Sequence, residues 1–448
     1  MSLHREPVLF GATGFTGQLT AEYLVEVHKQ NVTEEKLTII WSINETRKEN
    51  SLLTNFSWAL AGRNLGKLEK VRDRLIELDS SLKDLDLIIA NTNQPDSLDA
   101  VLSQTRVVIS TVGPFTLYGT PLVEACLRQK THYVDITGES PWIKTIIDKY
   151  DQQAKDNQVM IVPSCGFDSV PSDLGAYMVS QYMHTHHHLD LASLKMSVTK
   201  LKGGFSGGTI QSMMEIIYQQ QQQQQLHNDG TKENMNDPYS LATRRGVDKG
   251  TLIPKLQRDH DFGHQWQTFF IMSAINEKVV RRSWSIWTDR GQSYGPLFTY
   301  QERTSVPHFL VALLLTSAVC TIFPLLTAMA RYTPSFFRKL MHWLPGSGDG
   351  PTAEQRAKGG FEMQFVGVSE SEPYDEAKRI RAIVKGFRDP GYGDTCRMVA
   401  ESALCIVKSL HQLPGNKGGI LTPATAFGQI LIDRLTKDQG MVFQVKDL

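Results

Sequence analysis

The residues best equipped for chemistry stand near the start of the chain. Gly11, Gly14 and Gly17 recur every third position, with Thr13, Phe15 and Thr16 between them. They directly follow the apolar run Pro7-Val8-Leu9-Phe10. A helical pattern overlaps and follows them, with Phe15, Leu19, Leu24 and Val27 at roughly helical spacing. Glycine allows a tight turn and a close approach of the backbone to a bound group. A helix N-terminus adds unpaired N–H groups and a partial positive charge. A strand, a glycine turn and a helix in that order make a seat for the diphosphate of a dinucleotide. The five residues from Thr13 to Gly17, and Gly11 itself, are expected at the cofactor.

The strand that follows the first helix decides which dinucleotide binds, because the residue at its end reads the adenosine ribose. Leu37–Ile43 would offer Glu45, which favours NAD; Trp58–Ala61 would offer Arg63, which accommodates the 2′-phosphate of NADP. The second segment runs straight into a helical pattern over 65–78, as a βα unit should, with Lys67 one turn beyond Arg63. It is therefore preferred, which makes 32–55 an insertion and NADP the expected cofactor, with NAD as the alternative. Strands are then expected at 85–90, 107–110, 132–135 and 159–162, and helices at 97–104, 121–128 and 141–156. Such alternation implies an α/β fold, a Rossmann-type doubly wound parallel sheet whose ligand lies beyond the strand ends. Gly113, Pro114 and Phe115 fall there, beside the nicotinamide end. A hydride-transfer site also needs a proton donor, and Tyr118 or Asp168 could supply it. Asp135, Glu139 and Asp173 read equally well as caps and turn residues, and Cys165 as a small buried thiol.

Beyond Ser169 the rhythm changes to that of a second, α+β domain. Strands are expected over 194–201, 360–367 and 379–387, and helices over 392–408 and 426–435. Lys202–Thr209 is a second glycine-rich helix start, equally readable as a ligand loop or a flexible connection. The glutamine run Gln219–Gln225 and the polar stretch to Asp248 are expected to be disordered. Residues 309–330 carry no charge, with Arg331, Arg338 and Lys339 and several aromatics after them. That length suits a bilayer or lipid surface, with Pro324 leaving straight, kinked and re-entrant arrangements open. The expected division is 1–168, 169–400 and a helical 401–448 that packs back on the first domain.

Composition narrows the classes. Forty-seven basic residues balance forty-seven acidic ones, so no global field attracts nucleic acid. Five scattered cysteines without C-x-x-C spacing argue against zinc and against a disulfide framework. His184, His186, His187 and His188 lack acidic or cysteine partners at ligand spacing and read as a solvated loop, so no metal is expected. The short polar start before the first strand is not a signal peptide, which points to the cytosol.

With these residues laid out, the chain resembles the saccharopine dehydrogenase-like oxidoreductases, relatives of saccharopine reductases and of trans-acting enoyl reductases. The matching strings are Phe10–Gly17, Ala59–Arg63, Val112–Phe115, Tyr118-Gly119, Tyr133–Glu139, Ser164–Asp173, Gly391-Tyr392 and Leu421–Ala424. The resemblance implies a nucleotide-binding domain followed by an α+β domain. It also implies a lipid-droplet or membrane association, facing the cytosol, and a place in lipid or glycolipid metabolism. The expected activity is an NAD(P)-dependent reductase acting on a lipid-linked substrate, and a homodimer is among the assemblies considered. The competing expectation is a lipid-surface interaction protein whose nucleotide site is vestigial or regulatory.

Overall fold

The computed structural model describes residues 5–42, 56–203, 237–248, 256–343, 351–371 and 376–448, together with 214, 217, 218 and 221. Its first part runs β1 (Arg5–Phe10), α1 (Phe15–Ser42), β2 (Ala59–Gly62), α2 (Leu65–Leu78), β3 (Asp86–Ile89) and α3 (Pro95–Leu102). It continues through β4 (Thr105–Ser110), α4 (Phe115–Gln129), β5 (His132–Asp135), α5 (Ser140–Asp156) and β6 (Met160–Val162). The second part runs α6 (Val170–Tyr182), β7 (Leu191–Lys202), β8 (Gln257–Asp259), β9 (Gln265–Phe269), α7 (Ser273–Asp289) and β10 (Thr299–Val306). Then come α8 (Phe309–Tyr332), α9 (Pro334–Trp343), α10 (Ala353–Ala357), β11 (Gly360–Ser369) and β12 (Arg379–Gly386). The chain closes with α11 (Thr395–Ser409), β13 (Gly419–Ile420), α12 (Pro423–Phe427), α13 (Gln429–Thr436) and β14 (Val442–Asp447).

The first sheet has seven strands, all parallel, in the order β13-β6-β5-β4-β1-β2-β3. Each strand is apolar on both sides, so successive residues enter opposite cores. Leu9, Leu60, Val107, Ile109 and Val134 face α1, α2 and α11; Val8, Phe10, Ala59, Ala61, Val108 and Tyr133 face α3, α4 and α5. The strand order reverses between β4 and β1, which opens a crevice beyond their carboxyl ends. The seventh strand, β13, comes from the far end of the chain and was not expected as a sheet member. Its two residues pair with Met160 and Ile161, too short a span to show a period.

The second sheet is mixed, in the order β14-β12-β11-β7-β10-β9-β8. The stretch beyond 400, read as helical, thus gives one strand to each sheet. Its last expected helix is split at Gly428, whose φ of +53° suits glycine and breaks α12 from α13.

Two further expectations are corrected, and one between them is met. The insertion expected over 32–55 opens as a continuation of α1 to Ser42, while 43–55 lie outside the described residues. The preferred second strand is the one formed, so Arg63 and not Glu45 follows it. Residues 237–248, expected to be disordered, are packed: Tyr239, Leu241 and Asp248 are buried. The remainder of 219–236, apart from Gln221, lies outside the described residues, as do most of 202–209 and the helix expected after it.

A buried guanidinium is one of the groups on α7 that hold 237–248. Arg281 on α7 donates to Asp248 at 3.0 and 2.5 Å, to Glu277 at 3.2 Å and to the carbonyl of Tyr300 at 3.0 Å. Removing one partner from a buried ion pair leaves the other charge uncompensated. Arg281→Ala is therefore expected to cost about 3–5 kcal/mol, read as a lower midpoint in chemical denaturation.

Candidate active site

At the end of β1 the chain turns at Gly11, whose φ is +85°, and the Gly14 amide donates to the Gly11 carbonyl at 2.9 Å. A side chain on Gly11 would meet Thr111 Oγ1 at 2.7 Å, so the turn lies directly against the loop after β4. A Cβ on Gly17 would sit 2.1 Å from the Gly11 carbonyl oxygen, so that glycine is required for the turn to close on α1. Gly14 differs. It is exposed, and its nearest obstacle is the Gly11 carbonyl at 3.3 Å. The middle glycine thus leaves space rather than filling it.

Helix starts carry amides with no intrahelical acceptor, and these need partners. In α4 the Glu139 carboxylate takes the amides of Phe115 and Thr116, both at 2.8 Å. In α2 the Asn64 side chain takes the Lys67 amide at 3.0 Å. At α1 the amides of Phe15, Thr16 and Gly17 have no acceptor among the described residues. An anion is the missing partner, and the positive end of the helix favours it. The cradle fits a dinucleotide diphosphate: uncapped amides, an open Gly14 and two glycines whose Cβ would destroy the turn. Phe15 is set by the second part of the chain, edge-on to Tyr392 at 5.1 Å and beneath Arg356 at 5.5 Å. The thiol of Cys396 donates to the Thr16 carbonyl at 3.5 Å.

The remaining expected site residues fall on neighbouring strand ends. Arg63 is exposed immediately after β2, with Asn64 and Lys67 beside it. Gly113 and Pro114 form the loop after β4, joined by a cis peptide. The Phe115 ring packs on Trp142, 5.6 Å between centroids. Helix α4 starts here, six residues before the expected start at Pro121, because Glu139 from another loop supplies the cap. Tyr118 lies half-buried in its first turns, and Asp168 half-buried in the turn after β6. No described hydrogen bond joins the two. Asp168 has no hydrogen-bond partner among the described residues, and burial raises its carboxyl to about 6. Its Oδ2 lies 3.1 Å from where a Cβ on Gly138 would be, which places it over the loop after β5.

The other acids are tied down. Asp135 accepts from Tyr133 Oη at 2.8 Å and from the amides of Thr137 and Ser164 at 2.9 and 3.0 Å, stitching the two loops together. Burial raises it to about 7. Asp173 holds the Ala424 amide at 2.8 Å. Cys165 is buried, and burial pushes its thiol well up, so it is no nucleophile. Two histidines of the 184–188 group pair with single carboxylates, His184 with Asp190 and His187 with Asp447. Among the described residues no group of three or more metal-ligating side chains converges.

One neighbour was not anticipated. Lys278 on α7 reaches Ser140 Oγ at 3.4 Å, at the start of α5, and burial lowers its ammonium to about 8. Helix α7 is buried although it carries Asn276, Glu277, Lys278, Arg281 and Arg282. Its composition reads as a solvated surface. A cavity of about 210 Å³ lies beside α1, lined by Leu19, Tyr23, Arg356, Arg388, Tyr392 and Cys396. Its walls come from the flank of α1 and from the second part of the chain, not from the strand-end loops of the first sheet, so the crevice defined by the glycine turn is the better site.

Fold and crevice together define an NAD(P)-binding oxidoreductase. Comparison with known proteins agrees. Residues 44–162, from before β2 through β6, match the saccharopine dehydrogenase NADP binding domain. A Mycobacterium tuberculosis protein named as a trans-acting enoyl reductase is 32% identical over 442 residues, 96% of this chain and 94% of its own. The trans-acting enoyl reductase of Mycobacterium bovis is 29% identical over 443 residues, 96% of this chain and 94% of its own. The apo saccharopine dehydrogenase (L-Glu forming) of Saccharomyces cerevisiae has the same fold over 99% of this chain and all of its own, with a TM-score of 0.51 at 12% identity. The chain belongs to the saccharopine dehydrogenase-like family of NAD(P)-dependent oxidoreductases.

Because Gly14 faces open space, Gly14→Val is expected to leave the thermal midpoint nearly unchanged. It should weaken NADPH binding by at least about tenfold, some 1.4 kcal/mol, in a fluorescence titration. Gly17→Val should instead unfold the turn and lower the midpoint.

Proposed function

We propose that this protein is an NADPH-dependent reductase of a polarised carbon–carbon double bond in a lipid-linked acyl chain, working at a lipid-droplet or membrane surface on its cytosolic side. The observation that carries this reading is an uncapped α1 start and an unpaired, half-buried Asp168 at the carboxyl edge of one sheet. The names of the relatives supply the enoyl chemistry, and the exposed leucines of α8 supply the lipid surface.

When bound, NADPH supplies a hydride, which adds to the carbon β to the acyl carbonyl. This chain would do the rest. The amides of Phe15, Thr16 and Gly17 would hold the diphosphate, and Arg63 would accept the 2′-phosphate. Gly113 and Pro114 would floor the nicotinamide end. The electron pair of the double bond moves to the α-carbon, and the Asp168 carboxyl or the Tyr118 hydroxyl gives it a proton. Saturated acyl chain and NADP⁺ leave, and solvent returns the proton to the half-buried donor. A carboxyl near pH 6 suits that task better than one at its ordinary value.

The test is NADPH oxidation by the full-length chain with a long-chain 2-enoyl thioester presented in phospholipid vesicles. Substrate-dependent oxidation with the saturated product is expected. Tight NADPH binding with no turnover on any enoyl substrate would favour the lipid-surface interaction protein instead. Arg63→Asp should shift the preference from NADPH toward NADH, read as the ratio of the two kcat/KM values; an unchanged ratio would remove Arg63 from the site.

The pH behaviour of Asp168 follows from its raised value. The folded carboxyl keeps its proton up to about pH 6, whereas an unfolded one loses it near ~3.9. Burial of the charge therefore costs stability that appears as pH rises between those values. Asp168→Asn should raise the thermal midpoint at pH 8 and leave it unchanged at pH 3. The wild type is expected to decline in kcat/KM above pH 6, and the variant to lose that decline.

A further inference from the structure

Helix α8 is 24 residues long, about 36 Å at the usual rise, and apolar enough to cross a bilayer. Its neighbours forbid that. The chain enters α8 from β10 and returns from it to β11, and both strands pair with β7 in one sheet. A single crossing would put β10 and β11 on opposite sides of the membrane. A return crossing is not available either. Helix α9 has ten residues, about 15 Å against a hydrocarbon core of ~30 Å, and it carries Arg338 and Lys339.

The helix is instead fastened along one narrow stripe. Near its start the Phe309 ring meets Trp266 of β9 at 4.9 Å, and the hydroxyls of Thr316 and Thr268 share a hydrogen bond of 2.7 Å. Near its end Ala330 joins Phe337 of α9, Met214 and Ile217 in a small buried cluster, and Arg338 lies over the Tyr218 ring at 4.6 Å. Met214, Ile217 and Tyr218 belong to the stretch of sequence that links β7 to Asp237. Its return, from the glutamine run through Asp229, Lys232 and Glu233, is too polar to cross hydrocarbon. Both ends of α8 therefore sit on the same side. The opposite face stays bare, with Leu310 68%, Leu314 70% and Leu325 60% exposed.

We infer that α8 and α9 form an in-plane anchor that lies within one phospholipid leaflet, its leucine face in the acyl region and its basic residues at the headgroups. Resting on the lipid-surface reading above, this assigns the mode of attachment. Charge picks the occupant: from Phe309 to Trp343 there are three cations, Arg331, Arg338 and Lys339, and no Asp or Glu. Such a face suits an anionic leaflet better than an acidic protein groove, which would reject the leucines. An anchor of this kind needs only one leaflet, so a monolayer over neutral lipid serves as well as a bilayer.

Cys320 offers a built-in probe. It lies midway along α8 and is exposed, while Cys126, Cys165, Cys396 and Cys405 are buried. The full-length protein, labelled there with an environment-sensitive maleimide, is mixed with phosphatidylcholine/phosphatidylserine vesicles carrying brominated acyl chains at graded depths. Shallow bromines are expected to quench most, and the protein is also expected to float with triolein droplets coated by the same phospholipids. Strongest quenching by bromines at the bilayer centre, or binding to vesicles without binding to droplets, would overturn the in-plane anchor while leaving the lipid-surface reading intact. Binding to neither would overturn both. Leu310→Glu with Leu314→Glu, at two exposed positions, should abolish flotation and leave the thermal midpoint unchanged.

Discussion

One unmet electrostatic demand organises the molecule: the first three amides of α1 have no acceptor among the described residues. Two other helix starts around the same sheet are closed by side chains of the protein itself, α4 by Glu139 and α2 by Asn64. An open helix start costs stability unless something occupies it, and that of α1 lies where the strand order reverses. The turn before it is built to stay open. Gly17 lets α1 fold back on the Gly11 carbonyl, and Gly11 lets the turn press on Thr111. The loops after β4, β5 and β6 then close round it, braced by Asp135 and Glu139. A fixed cradle with one movable occupant is what a dinucleotide enzyme requires.

The second part of the chain is more than an appended unit. Tyr392, Arg356 and Cys396 touch the glycine turn, β13 completes the first sheet, and α11 covers its core. The buried ion cluster of Arg281, Asp248 and Glu277 lies on the same helix as Lys278, which reaches the start of α5. Displacement of α7 would therefore be felt at the strand-end loops. The constraint on α8 comes from the same sheet. Because β10 and β11 share β7 as a partner, both ends of the most apolar segment of the chain are tied to one sheet.

Much of this was legible in the residues because the physics was local. The glycine turn announces itself between a strand and a helix. The strands from β3 to β6 are short apolar runs between helices, and β5 was read to its ends. Arg63 was chosen over Glu45 because a helix begins right after it. What escaped was decided by distant partners. The start of α4 is set by a carboxylate twenty-four residues on, and β13 has two residues and a neighbour more than 250 positions away. Helix α7 hides because its polar side chains find partners inside the protein, and residues 237–248 hide because distant groups on α7, Arg281 and Arg282 among them, hold them. Spacing shows the seat for a nucleotide. It does not show which acids are spent on bracing it, and here Asp135, Glu139 and Asp173 are spent while Asp168 is not.

The most direct measurement is hydrogen exchange of the full-length protein with and without saturating NADPH, resolved by peptide. Slowed exchange over residues 12–18, with little change at the start of α4 where Glu139 already holds the amides, is the result this account predicts. Unchanged exchange over 12–18, with protection concentrated elsewhere, would contradict it.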